Sequence, residues 1–245
     1  MAEWSDPRAT QNRAGVTING EAMGSVAVDQ GLRSHMLKVY NYMASGVLLS
    51  GIVALLMDRS GMNAELFSSP LGWVVRLAPL AFIMVMSFGM NKLSTTALQA
   101  LFFTFAAVMG ASLSQWMLFL TDASIAQLFM VTSVSFLSLS LWGYTTKKNL
   151  SGWGNFLLMG VVGLFVASIA NIFMGSGTLQ LVISTLGVLI FAGLTAYDTQ
   201  QIKSEYLQFA GHESLGKLAI MGALNLYLDF INMFQFLLSL FGSRD

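Results

Sequence analysis

LVISTLGVLIFAGLTAYDTQQIK (residues 181–203) and LAIMGALNLYLDFINMFQFLLSLF (residues 218–241) decide the reading of this chain. Each is long and apolar enough to cross a ~30 Å hydrocarbon core. Each also carries one aspartate, Asp198 in the first and Asp229 in the second. A carboxylate inside a membrane helix costs roughly 2.5–3.5 kcal/mol or more, so it turns toward the bundle interior and has a function. The two carboxyls are expected to meet inside a helical bundle and share a proton.

The rest of the chain supports a bundle in a membrane. Of 245 residues, 55% are hydrophobic and only 10% charged. That is too little charge to cover a water-facing surface. The alternating short segments of an outer-membrane barrel are absent, and Leu, Met, Phe and Ala dominate. The fold class is therefore all-α: a seven-transmembrane-helix bundle, with apolar spans near 36–57, 72–90, 96–120, 124–144, 153–174, 179–201 and 218–241. Residues 1–33 read as a flexible polar tail on the cytoplasmic side, and residues 34–245 as the transmembrane domain. SEYLQFAGHESLGK, residues 204–217, reads as a long connection.

Nine cationic side chains fall on the side of the N-terminus: Arg8, Arg13, Arg33, Lys38, Lys92, Lys147, Lys148, Lys203 and Lys217. Three fall on the other side: Arg59, Arg76 and Arg244. The positive-inside rule then places the N-terminus in the cytoplasm and the C-terminus outside.

In the last span Asn225, Asp229, Asn232 and Gln235 follow at steps of four, three and three, so they share one helical face. Such a stripe is expected against other helices or a water-filled cavity. Ser184, Gly187, Thr195 and Asp198 make a similar arc on the sixth span. The depths of the two aspartates match only if the seventh membrane helix begins after Lys217. In a medium of low dielectric the two carboxyls cannot both ionise comfortably, so the proton belongs to the pair. Its loss would put two like charges side by side. Thr132, Ser135 and Ser138 in the fourth span are expected to form interhelical hydrogen bonds. Arg76, near the outer start of the second span, either snorkels to the headgroups or reaches the carboxyls through a kink at Pro79.

Several classes are excluded by what is missing. There is no cysteine, and hence no thiolate metal site or disulfide. His35 precedes the first span and His212 lies in the last connection, which removes a metal site or a Ser–His dyad within the bundle. No phosphate-binding glycine motif is present, no basic patch suggests nucleic acid, and no cofactor is implied. An intramembrane aspartyl protease would match Tyr197–Asp198. Its second half fails, because Asp229 follows Leu226-Tyr227-Leu228 rather than Gly-x-Gly.

AYDTQQI (residues 196–202) followed by ALNLYLDFINMF (residues 223–234) closely resembles the Bax inhibitor family, in its bacterial branch. The resemblance covers all seven spans. It implies a seven-helix bundle with the last helix central and surrounded by the other six, in a bacterial inner membrane. It also implies a pH-sensitive passive calcium leak, with Asp198 and Asp229 as the pH-sensing pair and ion pathway. The pair would bind Ca2+ weakly and transiently, with Gln200, Asn225 and Asn232 adding oxygens; the resemblance carries an arginine that engages the pair onto Arg76, and Tyr197 is a further supporting polar residue. The implied partners are the lipid bilayer, Ca2+ and H+. An alternative implied by the same resemblance is a regulator that binds and restrains a membrane-bound ATP-dependent protease.

Overall fold

The structure, a computed structural model, describes residues 7–243, with side chains from residue 29 onward. Its elements are α1 (Pro7–Arg59), α2 (Met62–Ser68), α3 (Leu71–Gly89), α4 (Thr95–Leu113), α5 (Asp122–Thr145), α6 (Ser151–Met174), α7 (Gly177–Phe209) and α8 (Leu215–Phe241). A 3-10 turn, Ser114–Leu118, extends α4. Local sequence sets the ends of these helices. Ser94, Thr121 and Ser176 accept the N–H of Ala97, Ser124 and Leu179, as N-caps do. Gly175 closes α6 at φ 61°, a left-handed conformation that only glycine adopts without cost.

Among the described residues, seven helices are long and apolar enough to cross a membrane. Their outward faces carry large apolar side chains, including Phe88 on α3 and Phe173 on α6. In water this surface would drive aggregation, whereas lipid accepts it. The chain is a multi-pass, all-α membrane protein. The end of the bundle holding residues 90–94, 146–150 and 210–214 is called proximal here. The end holding residues 60–70, 114–121 and 175–176 is called distal.

Two expectations about the connections change. Helix α1 starts at Pro7, so the first apolar span is the last part of a longer helix. Residues 1–6 and the side chains of residues 7–28, which carry most of the expected tail, lie outside the described residues. The expected long connection at 204–217 is mostly helix. Nothing in SEYLQF breaks a helix, so α7 continues to Phe209. The chain turns over residues 210–214, with Gly211 at φ 87°. The depths of the aspartates are therefore matched by a longer α7. The seventh membrane helix begins at Leu215, before Lys217 rather than after it.

Helix α8 is central, but fewer neighbours touch it than expected. It packs on α7 most extensively, then on α1, α5 and α4. Helices α3 and α6 form an outer layer, on α4 and α7 respectively. Small residues bring the inner helices into backbone contact. A Cβ on Gly110 of α4 would lie 2.5 Å from the Ser50 carbonyl oxygen of α1. One on Gly143 of α5 would collide with the Ala196 carbonyl of α7. Lysines close two helix C-termini at the proximal end, where the dipole favours cations. Lys203 Nζ donates to the Tyr144 carbonyl at 3.1 Å, and Lys217 Nζ to the Met90 carbonyl at 3.2 Å.

Candidate functional site

The α7–α8 interface is antiparallel, and it is built in layers. On α7 the residues 184, 191, 198 and 205 recur every seven positions: Ser184, Phe191, Asp198 and Glu205. Seven residues make about two helical turns, or ~10 Å of rise, so all four lie on one face. Near the distal end Ser184 Oγ donates to Ser239 Oγ at 2.9 Å. One layer in, the rings of Phe191 and Phe236 stack, with centroids 5.9 Å apart and planes at 30°. Gly187 makes room for that stack, since a Cβ there would lie 2.5 Å from the Phe236 ring. Seven residues on from Phe191 is Asp198, and seven back from Phe236 is Asp229, so the next layer holds the two carboxyls. They lie within electrostatic reach of each other. Farther in, Gly222 of α8 packs on Ile202 of α7.

The two aspartates differ in setting. Asp229 is 3% exposed, and its Oδ2 has no hydrogen-bond partner. Asp198 is half-buried. From it the face continues to Gln201, whose Nε2 donates to Glu205 Oε1 at 2.9 Å. These two open into a polar recess of about 740 Å³, lined also by Tyr197, Gln200, Ser204 and Lys148. Among the described residues, no three His, Cys, Asp or Glu side chains gather round one point. The pair has at most four of the roughly six to eight oxygens that calcium takes.

The other expected site residues are dispersed. Tyr197 leans on α6, where a Cβ at Gly154 would touch its ring. Gln200 fastens the α5–α6 connection: its Nε2 donates to the Lys148 carbonyl at 2.9 Å, and its Oε1 accepts from Leu150 N–H at 2.8 Å. Asn225 is exposed, and Asn232, half-buried, donates to the Leu228 carbonyl of its own helix at 2.8 Å. The stripe expected to face inward thus runs along an edge of α8. Along it Asn225 is exposed, and Asn232 and Gln235 are half-buried. Only Asp229 is rotated far enough toward α7 to be buried. Arg76 is at the distal end. Its Nε donates to Gln115 Oε1 at 3.0 Å, and its guanidinium lies over the rings of Phe67 and Trp73 at 4.9 and 5.3 Å. The structure does not bring it to the aspartates.

Hydroxyl contacts also fall at unexpected places. Thr132 and Ser138 donate to carbonyls of their own helix, the usual outlet for a hydroxyl in an apolar span. A hydroxyl of α5 that does link helices is Ser140, bonded to Tyr40 of α1 at 2.6 Å and to Thr199 of α7 at 2.8 Å. On the opposite side of α8, Tyr227 Oη and Ser50 Oγ are 2.6 Å apart. No local sequence signal marks Ser50, because its partners lie on α4 and α8.

The Tyr-Asp-Thr-Gln and Leu-Tyr-Leu-Asp-Phe-Ile-Asn runs therefore occupy facing helices and build one site. A profile of the family described as "Inhibitor of apoptosis-promoting Bax1" matches residues 32–245. The chain belongs to the Bax inhibitor family. Within that family it is 45% identical to an uncharacterized protein of Caulobacter vibrioides, over 89% of this chain and 92% of the relative. It is 41% identical to RP147 of Rickettsia prowazekii, over 88% and 92%. It is likewise 41% identical to the inner membrane protein YbhL of Escherichia coli K12, over 87% and 93%.

Proposed function

We infer that this Bax inhibitor family member is a passive, proton-sensitive path for cations, with Ca2+ as the principal cargo, in a bacterial inner membrane. The observation that carries the reading is the Asp198–Asp229 layer. One carboxyl is sealed inside the bundle with an unpartnered oxygen, and the other adjoins a polar recess that opens at the proximal end. A shared proton lets the layer close, because a neutral pair is tolerated in low dielectric. Without that proton two like charges face each other across α7 and α8. The layer then attracts a cation from the recess, and the contact between the helices loosens. The carboxylates bind the passing ion weakly, which suits conduction, since an ion must leave as readily as it enters. The proximal end is the cytoplasmic one in this reading, because Lys92, Lys147, Lys148, Lys203 and Lys217 lie there.

The test is Ca2+ flux in proteoliposomes from pH 6 to 8, with wild type beside Asp198→Asn and Asp229→Asn. A pH-dependent flux in wild type, flattened in both variants, is expected. Absence of flux at every pH, or an unchanged pH profile in the variants, would defeat the reading.

A further inference from the structure

We propose that the stacked pair Phe191–Phe236 is the distal barrier of this path, the point at which water and cations moving from the carboxyl layer toward the far side are stopped. The inference rests on the cation-path reading for its biological meaning. Its physical content, an aromatic layer between two polar ones, stands on the geometry alone.

The layers of the α7–α8 interface alternate in polarity. The proximal side holds Asp198 and then Gln201 and Glu205, which line the polar recess. The distal side holds a hydrogen-bonded cluster: Gln180 Nε2 donates to Ser184 Oγ at 3.2 Å and to Ser239 Oγ at 3.1 Å. Asn171 of α6 joins it by donating to Gln180 Oε1 at 3.2 Å. Along the face of α7 that carries Ser184 and Asp198, the layer between these polar groups is Phe191 against Phe236 and Gly187. Phe191 is buried, at 8% exposed, and Phe236 is half-buried. A constriction lined by aromatic rings excludes water and so stops an ion, which cannot shed its hydration shell without replacement ligands.

The geometry also says how such a barrier would yield. Each ring lies two turns from a carboxyl on its own helix. A separation of α7 and α8 driven at the Asp198–Asp229 layer is therefore transmitted directly to the ring stack. Gly187 carries no side chain to hold Phe236 in place from the α7 side.

The chain has no cysteine, so single thiols report cleanly on water access. Thr195 lies between Phe191 and Asp198, is fully buried, and bonds only to its own helix, at the Phe191 carbonyl. Thr195→Cys changes little in size. In proteoliposomes of known orientation it would be probed with a membrane-impermeant methanethiosulfonate from the distal side. Ser239→Cys, beyond the barrier, serves as the accessible control. Thr195→Cys is expected to resist labelling in the otherwise native chain. In Phe236→Ala or Phe191→Ala it is expected to react faster by about tenfold or more, as a dewetted constriction opens. The apolar replacement Phe236→Leu, which keeps the layer filled, is expected to preserve protection.

Two results would overturn the barrier: labelling of Thr195→Cys with both rings present, or continued protection in both alanine variants while Ser239→Cys reacts. Calcium flux run in parallel separates the two ideas. If labelling follows the rings but no variant conducts, the barrier stands and the cation-path reading falls. If wild type conducts with pH dependence but labelling ignores the rings, the barrier alone falls.

Discussion

Tyr227 and Asp229 lie two residues apart on α8, both buried and on different sides of the helix, yet their surroundings are of opposite kinds. Tyr227 is fully enclosed. Its hydroxyl is 2.6 Å from Ser50 Oγ, which also lies within hydrogen-bonding distance of the Ala106 and Gly46 carbonyls. Its ring meets Phe102 and Phe105 edge-on, with centroids 6.0 and 5.3 Å away. Asp229 has a carboxyl oxygen with no partner, and the charged group facing it is a second carboxyl, Asp198. A satisfied buried network rigidifies a fold, whereas an unsatisfied polar group stores a cost that a proton or an ion can relieve. The α1–α4–α8 side therefore holds a satisfied network, and the α7–α8 side holds the unsatisfied group.

The comparison can be broken most forcefully on the side of the satisfied network. Gly110→Val would press a branched side chain onto the Ser50 backbone. The expected loss is about 3 kcal/mol of unfolding free energy, the upper range for overpacking, and it should be the same at pH 6 and pH 8. Unfolding in mixed micelles at the two pH values measures it. A small effect would mean that α1 and α4 are not rigidly docked.

The next effect has the opposite sign. Asp229→Leu removes an unsatisfied carboxyl and fills the site with apolar volume. It should leave stability unchanged or raise it by about 1–2 kcal/mol, since only a desolvation cost is being deleted. On the shared-proton reading, the gain is expected to be larger at pH 8 than at pH 6. The same unfolding assay decides. A loss comparable to that of Gly110→Val would mean that Asp229 is a structural anchor like Tyr227.

Tyr227→Phe sharpens the contrast. It deletes one hydroxyl and leaves Ser50 its carbonyl partners, so a loss of about 1 kcal/mol is expected. That loss should not vary with pH between 6 and 8. The smallest effect is expected away from both centres. Gln200→Ala frees the Lys148 carbonyl and the Leu150 N–H. Global stability should fall by less than about 1 kcal/mol, the net worth of such bonds, while amide exchange at Leu150 accelerates. An altered pH profile of flux in this variant would show that Gln200 belongs to the path rather than to the proximal connection.

Much of this site could be read before folding. Membrane-length apolar runs and lone intramembrane carboxyls are local facts, and they led to two helices that pack together and to two carboxyls within electrostatic reach across them. The seven-residue recurrence of Ser184, Phe191, Asp198 and Glu205 is also written in the chain, but its meaning depends on the register of α8. The fate of Asn225 and Asn232 could not be read, because a polar stripe looks the same whether neighbouring helices cover it or leave an edge open. Ser140 and Ser50 were invisible for a similar reason. A serine in an apolar span has its own i−4 carbonyl as a default partner, and only a close neighbour changes that.

By itself, then, the sequence determined a seven-span membrane bundle with two carboxyls in its last two helices. Length, hydropathy and the cost of a charge in lipid are properties of single segments. Only the tertiary structure decided that α7 extends past Lys203 to bring the carboxyls level, that Arg76 is held by Gln115 at the distal end, and that an aromatic pair divides the polar layers. Each of those depends on which residues of distant segments come to lie side by side, and that is set by packing among helices, where small residues such as Gly110, Gly143 and Gly187 let backbones and rings close in.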